Sequence, residues 1–569
     1  SGATDDPDTL VINNSTEPQT LDPGIEKGQP EYRVTITLFE GLTIYDPKDL
    51  APKPGVAERW DVSPDASVYT FKLRDAKWSN GEPIRAADFE WSWKRVLDPK
   101  LASEYVEQIS NYLKNAKAYY DGATADGTLG SWAGLKPEDR AAALKDLPAQ
   151  VRKRHVGPLK KLLETEKEEK TSAALRQALE EAPRREDVSL DQVGVKATDE
   201  RTLVVTLETP VPYFLDLAAF FTYFPVHRGT VEKHGSNWTR PGTLVGNGPY
   251  RLKEWKVKEH ILVEKNPHYW DAANVKDQKI KFLPIENAST AFNLYEKGKI
   301  HWLTEPPREY IEELLKRPDY HTGPFLATYF YGFNVTRGPA KDKRVRQALA
   351  LAVDREQIVK YITRAGEAPA RSLVPPILPG YTPSQMPAYD PAAAKRLLAE
   401  AGFPEGKGFP KMELLYNTSE AHKKVAATIQ EMWRKDLGIE VELRNTEWKV
   451  YLDMQSKLEF DVIRRGWISD YNDPMSFLDM FTSKNGNNNT GFSSGKYDAL
   501  ISQARVELDA SKRLRTLAEA EAVLMDELPI LPLYFYVTKN LWRPRVAGPE
   551  DNIRDTHPLN RVHLAGQAP

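Results

Sequence analysis

The chain has 569 residues, a formal net charge of −3 and 28% charged residues. This length exceeds one ordinary hydrophobic core and calls for about two to four domains, while the balanced charge lacks the basic bias of a nucleic-acid binder. With no cysteine, disulfides, a thiol nucleophile and thiolate metal sites are excluded. The start, "SGATDDPDT", has neither Met nor an apolar signal segment and is expected to be a processed or trimmed export product.

In "SVYTFKLRD", Tyr69, Phe71 and Leu73 alternate with polar residues, the period of a half-buried strand. "DFEWSWKRVL" follows as a helix, with Phe89, Trp93, Val96 and Leu97 on one face and Pro99 just beyond its end. From Gly122 to Asp191 the chain is dense in Ala, Leu, Glu and Lys broken by prolines, a pattern that predicts an insertion of short helices. Strand character resumes in "VGVKATDERTLVVTLETPVPYF". The longest apolar run, Tyr213 to Val226, is too short for a membrane span and carries Asp216, so it is expected in a buried core.

The second half alternates helices and strands. Asp390 caps a helix that has Pro391 at its first position and Gly402 past its end. The helix "EAHKKVAATIQEMWRKDLG" gives way to the strand "IEVELRN". Next come the strand "EFDVIRRGW", the helices "KYDALISQARVEL" and "SKRLRTLAEAEAVLMDEL", and the strand "ILPLYFYVTK". This is α/β architecture.

Catalytic signatures are sparse. There is no phosphate loop, dinucleotide fingerprint or His-Glu-x-x-His motif, and the ten histidines form no metal-ligand spacing, so no cofactor or metal is expected. "GFSSG", Gly491 to Gly495, matches a nucleophile elbow, but "KNGNNNT" before it is poor strand material. A serine hydrolase using Ser493 is the alternative from another class.

"GWISDYNDP" sets Asp470 between Trp467 and Tyr471. A carboxylate desolvated by rings needs donors or a cation. Either Asp470 caps nearby N–H groups, or its partner is not part of the protein. Trp448, Arg464 and Arg465 lie close in sequence. His422 falls in the first turn of its helix, where an anion would be favoured, although a solvent-exposed neutral imidazole fits the position as well.

Together these segments resemble the periplasmic oligopeptide-binding proteins of ABC importers, the peptide/nickel class of extracellular solute-binding proteins (family 5). The resemblance rests on "TLDP", "LFEGL", "PGVAERW", "AKWSNGEP", "PVPYF", "NGPYRLKEW", "NPHYWD", "LLYNTSEAHKK" and "GWISDYNDP", and it spans nearly all of the chain outside the insertion. It implies a two-lobed periplasmic-binding-protein fold of α/β class, with an extra domain beside the first lobe. The expected layout is lobe I at 1–39, 193–304 and 538–569, the added domain at 40–192 with the helical insertion at about 122–191, and lobe II at 305–537. Ligand binding would close the lobes by a hinge.

The resemblance also implies site residues. Asp470 would receive a peptide's α-ammonium, and Arg337, His422 and Arg464 its carboxylate. Trp448 and Trp467 would line side-chain pockets. Tyr105, Asn488, Asn489, Thr490 and Tyr536 would stand around the cleft, while Lys27, Gly28 and Gln29 would pair with peptide backbone. A family arginine falls on Gln455 and a family glutamate on Lys27, which bears on peptide length and keeps a cell-wall peptide or an oligosaccharide as the runner-up ligand. The implied protein is a non-catalytic, extracytoplasmic monomer that delivers short peptides to the membrane permease of an ABC importer. A lipid anchor would require a cysteine upstream of this chain.

Overall fold

The computed structural model describes residues 8–130, 172 and 173, 188–211 and 213–566. Three large β-sheets organise these residues. The first has seven strands in the order Tyr320–His321, Asn540–Trp542, Trp302–Leu303, Thr9–Asn13, Lys279–Leu283, His260–Lys265 and Tyr250–Lys256. The second has six, in the order Ala368–Pro369, Ile530–Val537, Pro324–Phe333, Val462–Ile468, Met412–Asn417 and Val441–Thr446. The third is a four-stranded antiparallel sheet of Ala57–Val62, Val68–Leu73, Thr202–Thr206 and Val195–Asp199.

Local rules explain the main elements. Tyr69, Phe71 and Leu73 are buried and their neighbours half-buried, as a strand with one core face requires. The helix Ala86–Val96 buries Phe89, Trp93 and Val96. Asp390 accepts from the Ala393 N–H at 2.9 Å to open Pro391–Glu400. Ser419 caps Glu420–Leu437, which ends at Gly438 with φ of 68°. The run Tyr213 to Val226 enters the core, with Phe214, Leu217 and Tyr223 fully buried. No helix of the described residues is long and apolar enough to cross a membrane.

Sheet membership corrects two of the expected boundaries. Thr202–Thr206 pairs with Val68–Leu73 and Val195–Asp199 with Thr202–Thr206, so the added domain's sheet continues past 192. Tyr320–His321 still pairs with Asn540–Trp542, so the chain leaves the seven-stranded sheet between His321 and Pro324 rather than at 304/305. It returns between Val537 and Asn540, beside the expected 537/538. In the expected insertion a helix, Ala116–Gly130, starts ahead of Gly122. The rest of that prediction, 131–171 and 174–187, lies outside the described residues.

The strand Val462–Ile468 positions the site. It runs antiparallel to Pro324–Phe333 and parallel to Met412–Asn417, carrying Arg464 near one end and releasing the chain into Asp470 at the other.

Candidate ligand-binding cleft

Asp470 is 6% exposed. Gln108 Nε2 donates to its Oδ2 at 2.9 Å, and the Ser476 hydroxyl accepts from its N–H at 2.8 Å. Among the described residues no Lys, Arg or His nitrogen forms an ion pair with its carboxylate. Arg554 donates to the Asp470 carbonyl instead and faces Asp216 at 3.8 Å. Burial therefore holds the Asp470 carboxyl well above the usual carboxylate range, opposed by Arg554 and Gln108. Aromatic rings wall this end. Tyr105 stacks on Trp467 with centroids 6.1 Å apart, and Tyr213 on Tyr471 at 4.2 Å.

The other end carries the opposite charge. Arg464 donates to the Tyr536 hydroxyl at 2.6 Å and lies over the Tyr329 ring at 4.7 Å. It also reaches Asn417 at 3.4 Å, but it makes no ion pair among the described residues, and its buried Nε has no partner. Tyr329 hydrogen-bonds His422 Nδ1 at 3.3 Å. Burial, with Arg464, Arg308 and Lys539 adding to it, pushes the His422 pKa well below its ordinary value. His422 is therefore held as a neutral imidazole, and a carboxylate brought beside it would have to raise its pKa to make it a cation.

The sheets approach each other across this space. Lys27, which precedes the helix Gln29–Leu38, bonds Glu104 at 2.5 Å and the Ser456 hydroxyl at 3.0 Å, while Ser456 donates to the same Glu104 oxygen at 2.6 Å. Trp448 Nε1 donates to Glu31 at 3.2 Å. Gly28 fits between them. A Cβ there would meet Glu31 Oε2 at 2.5 Å and Trp448 Cζ2 at 2.7 Å. Gln29 is the first helical residue, and the Gly28 carbonyl already accepts from Tyr32, so part of this backbone is committed to the helix.

Several predicted residues fall elsewhere. Arg337 is 48% exposed and pairs with Asp461 at 3.0 Å, outside the Arg464 cluster. Its position at a strand exit satisfies it locally. Asn488 and Thr490 are buried and bonded inward. The Asn488 amide donates to the Phe481, Thr482 and Phe492 carbonyls, and its oxygen accepts from Thr490. Between them, Asn489 has a positive φ of 43° and a buried amide nitrogen without a partner. Gln455 is buried on the helix Trp448–Ser456. Ser493 donates to Ser483 at 3.0 Å, and coil rather than a strand precedes it, so the elbow geometry is not formed. Sequence reasoning missed Gln108, Glu104, Glu31 and Arg308, none of which lies in a periodic or motif-bearing stretch.

A family profile described as bacterial extracellular solute-binding proteins, family 5 Middle, matches residues 51–489. The chain is 38% identical to the periplasmic oligopeptide-binding protein OppA of Salmonella typhimurium, over 96% of this chain and 92% of that protein. It is similar to the solved Haemophilus influenzae OppA in complex with RPPGFSPFR, with a TM-score of 0.84, 30% identity and coverage of 99% and 100%. The Escherichia coli murein tripeptide binding protein MppA superposes with a TM-score of 0.84 at 35% identity, covering 98% of each chain. The unliganded open form of MppA, at the same identity and coverage, reaches only 0.59. The lobes of this chain are therefore not arranged as in that open form.

Proposed function

The chain belongs to the bacterial extracellular solute-binding proteins of family 5, and from that premise we propose that it captures short peptides in the cleft between its lobes and delivers them to an ABC importer. One observation carries this reading. The cleft is dipolar: among the described residues the buried Asp470 carboxylate has no ion-pair partner, and the half-buried Arg464 has no ion pair and keeps a buried Nε without a hydrogen-bond partner. Buried charges need partners, and a zwitterionic peptide supplies both.

The spacing supports the same ligand. Arg464 and Asp470 are six positions apart on a strand that ends at Ile468, so they lie at most about 20 Å apart, which suits a peptide of a few residues once the side chains reach inward. Asp470 takes the α-ammonium in this reading, and Arg464 the carboxylate with His422 beside it. Trp467, Tyr105, Trp448 and Tyr536 form walls that tolerate varied side chains. Arg337, Asn488 and Thr490 act outside the ligand's first contacts.

In this reading the protein binds without turnover and works outside the cytoplasm as a monomer. The likeness to a murein tripeptide binder favours a cell-wall peptide as the second reading. Mass spectrometry of small molecules released by denaturing the purified protein tests both. A mixture of short peptides supports general capture, and one recurring cell-wall species supports the second. Titration calorimetry that finds no peptide binding at all would remove the function proposed here.

A further inference from the structure

The Arg464 end of the cleft holds more positive charge than one peptide carboxylate neutralises. Arg308 follows Pro306 and Pro307 in the segment that joins the strands Trp302–Leu303 and Tyr320–His321, and its Nη2 donates to the Tyr534 hydroxyl at 3.3 Å. Tyr534 stacks on Tyr329 at 4.6 Å and meets Tyr536 at 5.6 Å, so Arg308 and Arg464 border one box of tyrosines with His422. Both guanidiniums bear on the same groups, depressing the pKa of His422 and opposing the rise at Tyr329.

Neither arginine forms an ion pair among the described residues, and each keeps a buried nitrogen without a hydrogen-bond partner, Nη1 of Arg308 and Nε of Arg464. The third cation here is Lys539, bonded to Glu367 at 2.8 Å. Glu367 also accepts from the Ala365 N–H, and Lys539 and Arg308 hold its carboxyl down at about 2 against the effect of burial. Three cations thus face one buried carboxylate, with His422 neutral. Glu305, whose charge bears on Tyr536, and Glu309 are exposed, so water screens them, and Glu309 pairs with Lys424. The box has a surplus of two positive charges, whereas the α-carboxylate of a neutral peptide supplies one negative charge.

Building on the proposed function, we propose that the cleft selects peptides whose last residue is itself acidic, with Arg464 receiving the α-carboxylate and Arg308 the side-chain carboxylate. Arg308 is suited to this role because the two prolines stiffen the chain leading into it, and its planar fork can grip a carboxylate with two nitrogens. A purely structural Arg308 would need only the Tyr534 hydroxyl, which leaves the charge uncompensated.

Titration calorimetry with alanine tri- and tetrapeptides ending in Glu or Gln tests this, each with a free or amidated α-carboxylate. The native protein is expected to favour Glu over Gln by about tenfold or more. Arg308→Gln should bring that ratio close to one while the loss on amidation persists, and Arg464→Gln should do the reverse. Arg308→Lys keeps the charge and should retain part of the glutamate preference, which gives a second reading if Arg308→Gln folds poorly. Equal affinity for Glu and Gln peptides in the native protein overturns the inference and leaves peptide capture standing. If both arginine variants reduce the amidation effect alike, one carboxylate bridges both arginines, and the inference is likewise overturned. Binding of none of these peptides would sink this inference together with the function on which it rests.

Discussion

Gln108 donates its amide to the Asp470 carboxylate at 2.9 Å, joining the added domain to the turn that ends the central strand of the six-stranded sheet. A neutral amide orients the carboxylate but cannot cancel its charge. Arg554 could, yet it spends its Nη1 on the Asp470 carbonyl. Asp470 is therefore held in place and left electrostatically open, as a receptor for an external cation should be.

This arrangement predicts a pH dependence. Burial raises the Asp470 pKa, and a bound ammonium would lower it. A carboxyl raised without ligand and lowered with it releases a proton on binding, so affinity for free peptides should rise with pH between the two values. Calorimetry at acidic pH in buffers of different ionisation enthalpy measures the release. Asp470→Asn should lack it, and equal proton release from both proteins would take Asp470 out of the ligand site.

Gly28→Ala is expected to damage binding more than folding. The new methyl group meets Glu31 on its own helix but Trp448 on the opposing lobe, and the second clash exists only when the cleft is closed. Peptide affinity should fall more than tenfold, corresponding to about 1.4 kcal/mol, while the melting temperature of the ligand-free protein shifts little. X-ray scattering with saturating peptide should then show a more open particle than the native complex. Native-like compaction on ligand addition would mean that the helix start at Gly28 absorbs the methyl by moving.

Lys27, Glu104 and Ser456 make a polar bridge across the cleft. The Lys27 and Glu104 side chains are 11% and 20% exposed, so water screens the pair only partly. Lys27→Ala should speed peptide release by about threefold to tenfold with little change in the association rate, because the bridge forms after encounter. Stopped-flow fluorescence of the cleft tryptophans would follow this. A change confined to association would show that Lys27 steers the ligand instead.

How much was legible depended on whether a residue's role was local. The helix Glu420–Leu437 was readable because Ser419 and Gly438 punctuate it, and Asp470 because two rings flank it in sequence. Gln108 could not be read: it meets Asp470 only through folding across 362 positions, and its short helix has too few residues for a period. Arg308 hides in an aperiodic connector for the same reason. Asn488 and Thr490 were placed around the cleft by the family resemblance, and the hydrogen bonds that close their loop on itself could not be read from the sequence. The first lobe crossing was misplaced because Tyr320–His321 is a two-residue strand, too short to announce itself.

The contact between Asp470 and a peptide's amino terminus can be isolated by changing both partners. Acetylating the peptide removes the cation and leaves the carboxylate buried, which typically costs about 3–5 kcal/mol, more than a hundredfold in affinity. Asp470→Asn should cause a comparable loss for free peptides. Each change alone is ambiguous, since acetylation adds bulk and Asn alters the bond with Gln108. Their combination is not ambiguous. If both remove the same interaction, the acetylated peptide should lose little more on the Asn variant, and the coupling should approach the size of either single loss. The Gln108 bond does not supply such coupling by itself, because it contains no ligand atom. A double-mutant cycle by calorimetry measures the coupling directly. Simple additivity would mean that the ammonium binds elsewhere and that Asp470 is held by Gln108 for structural reasons alone.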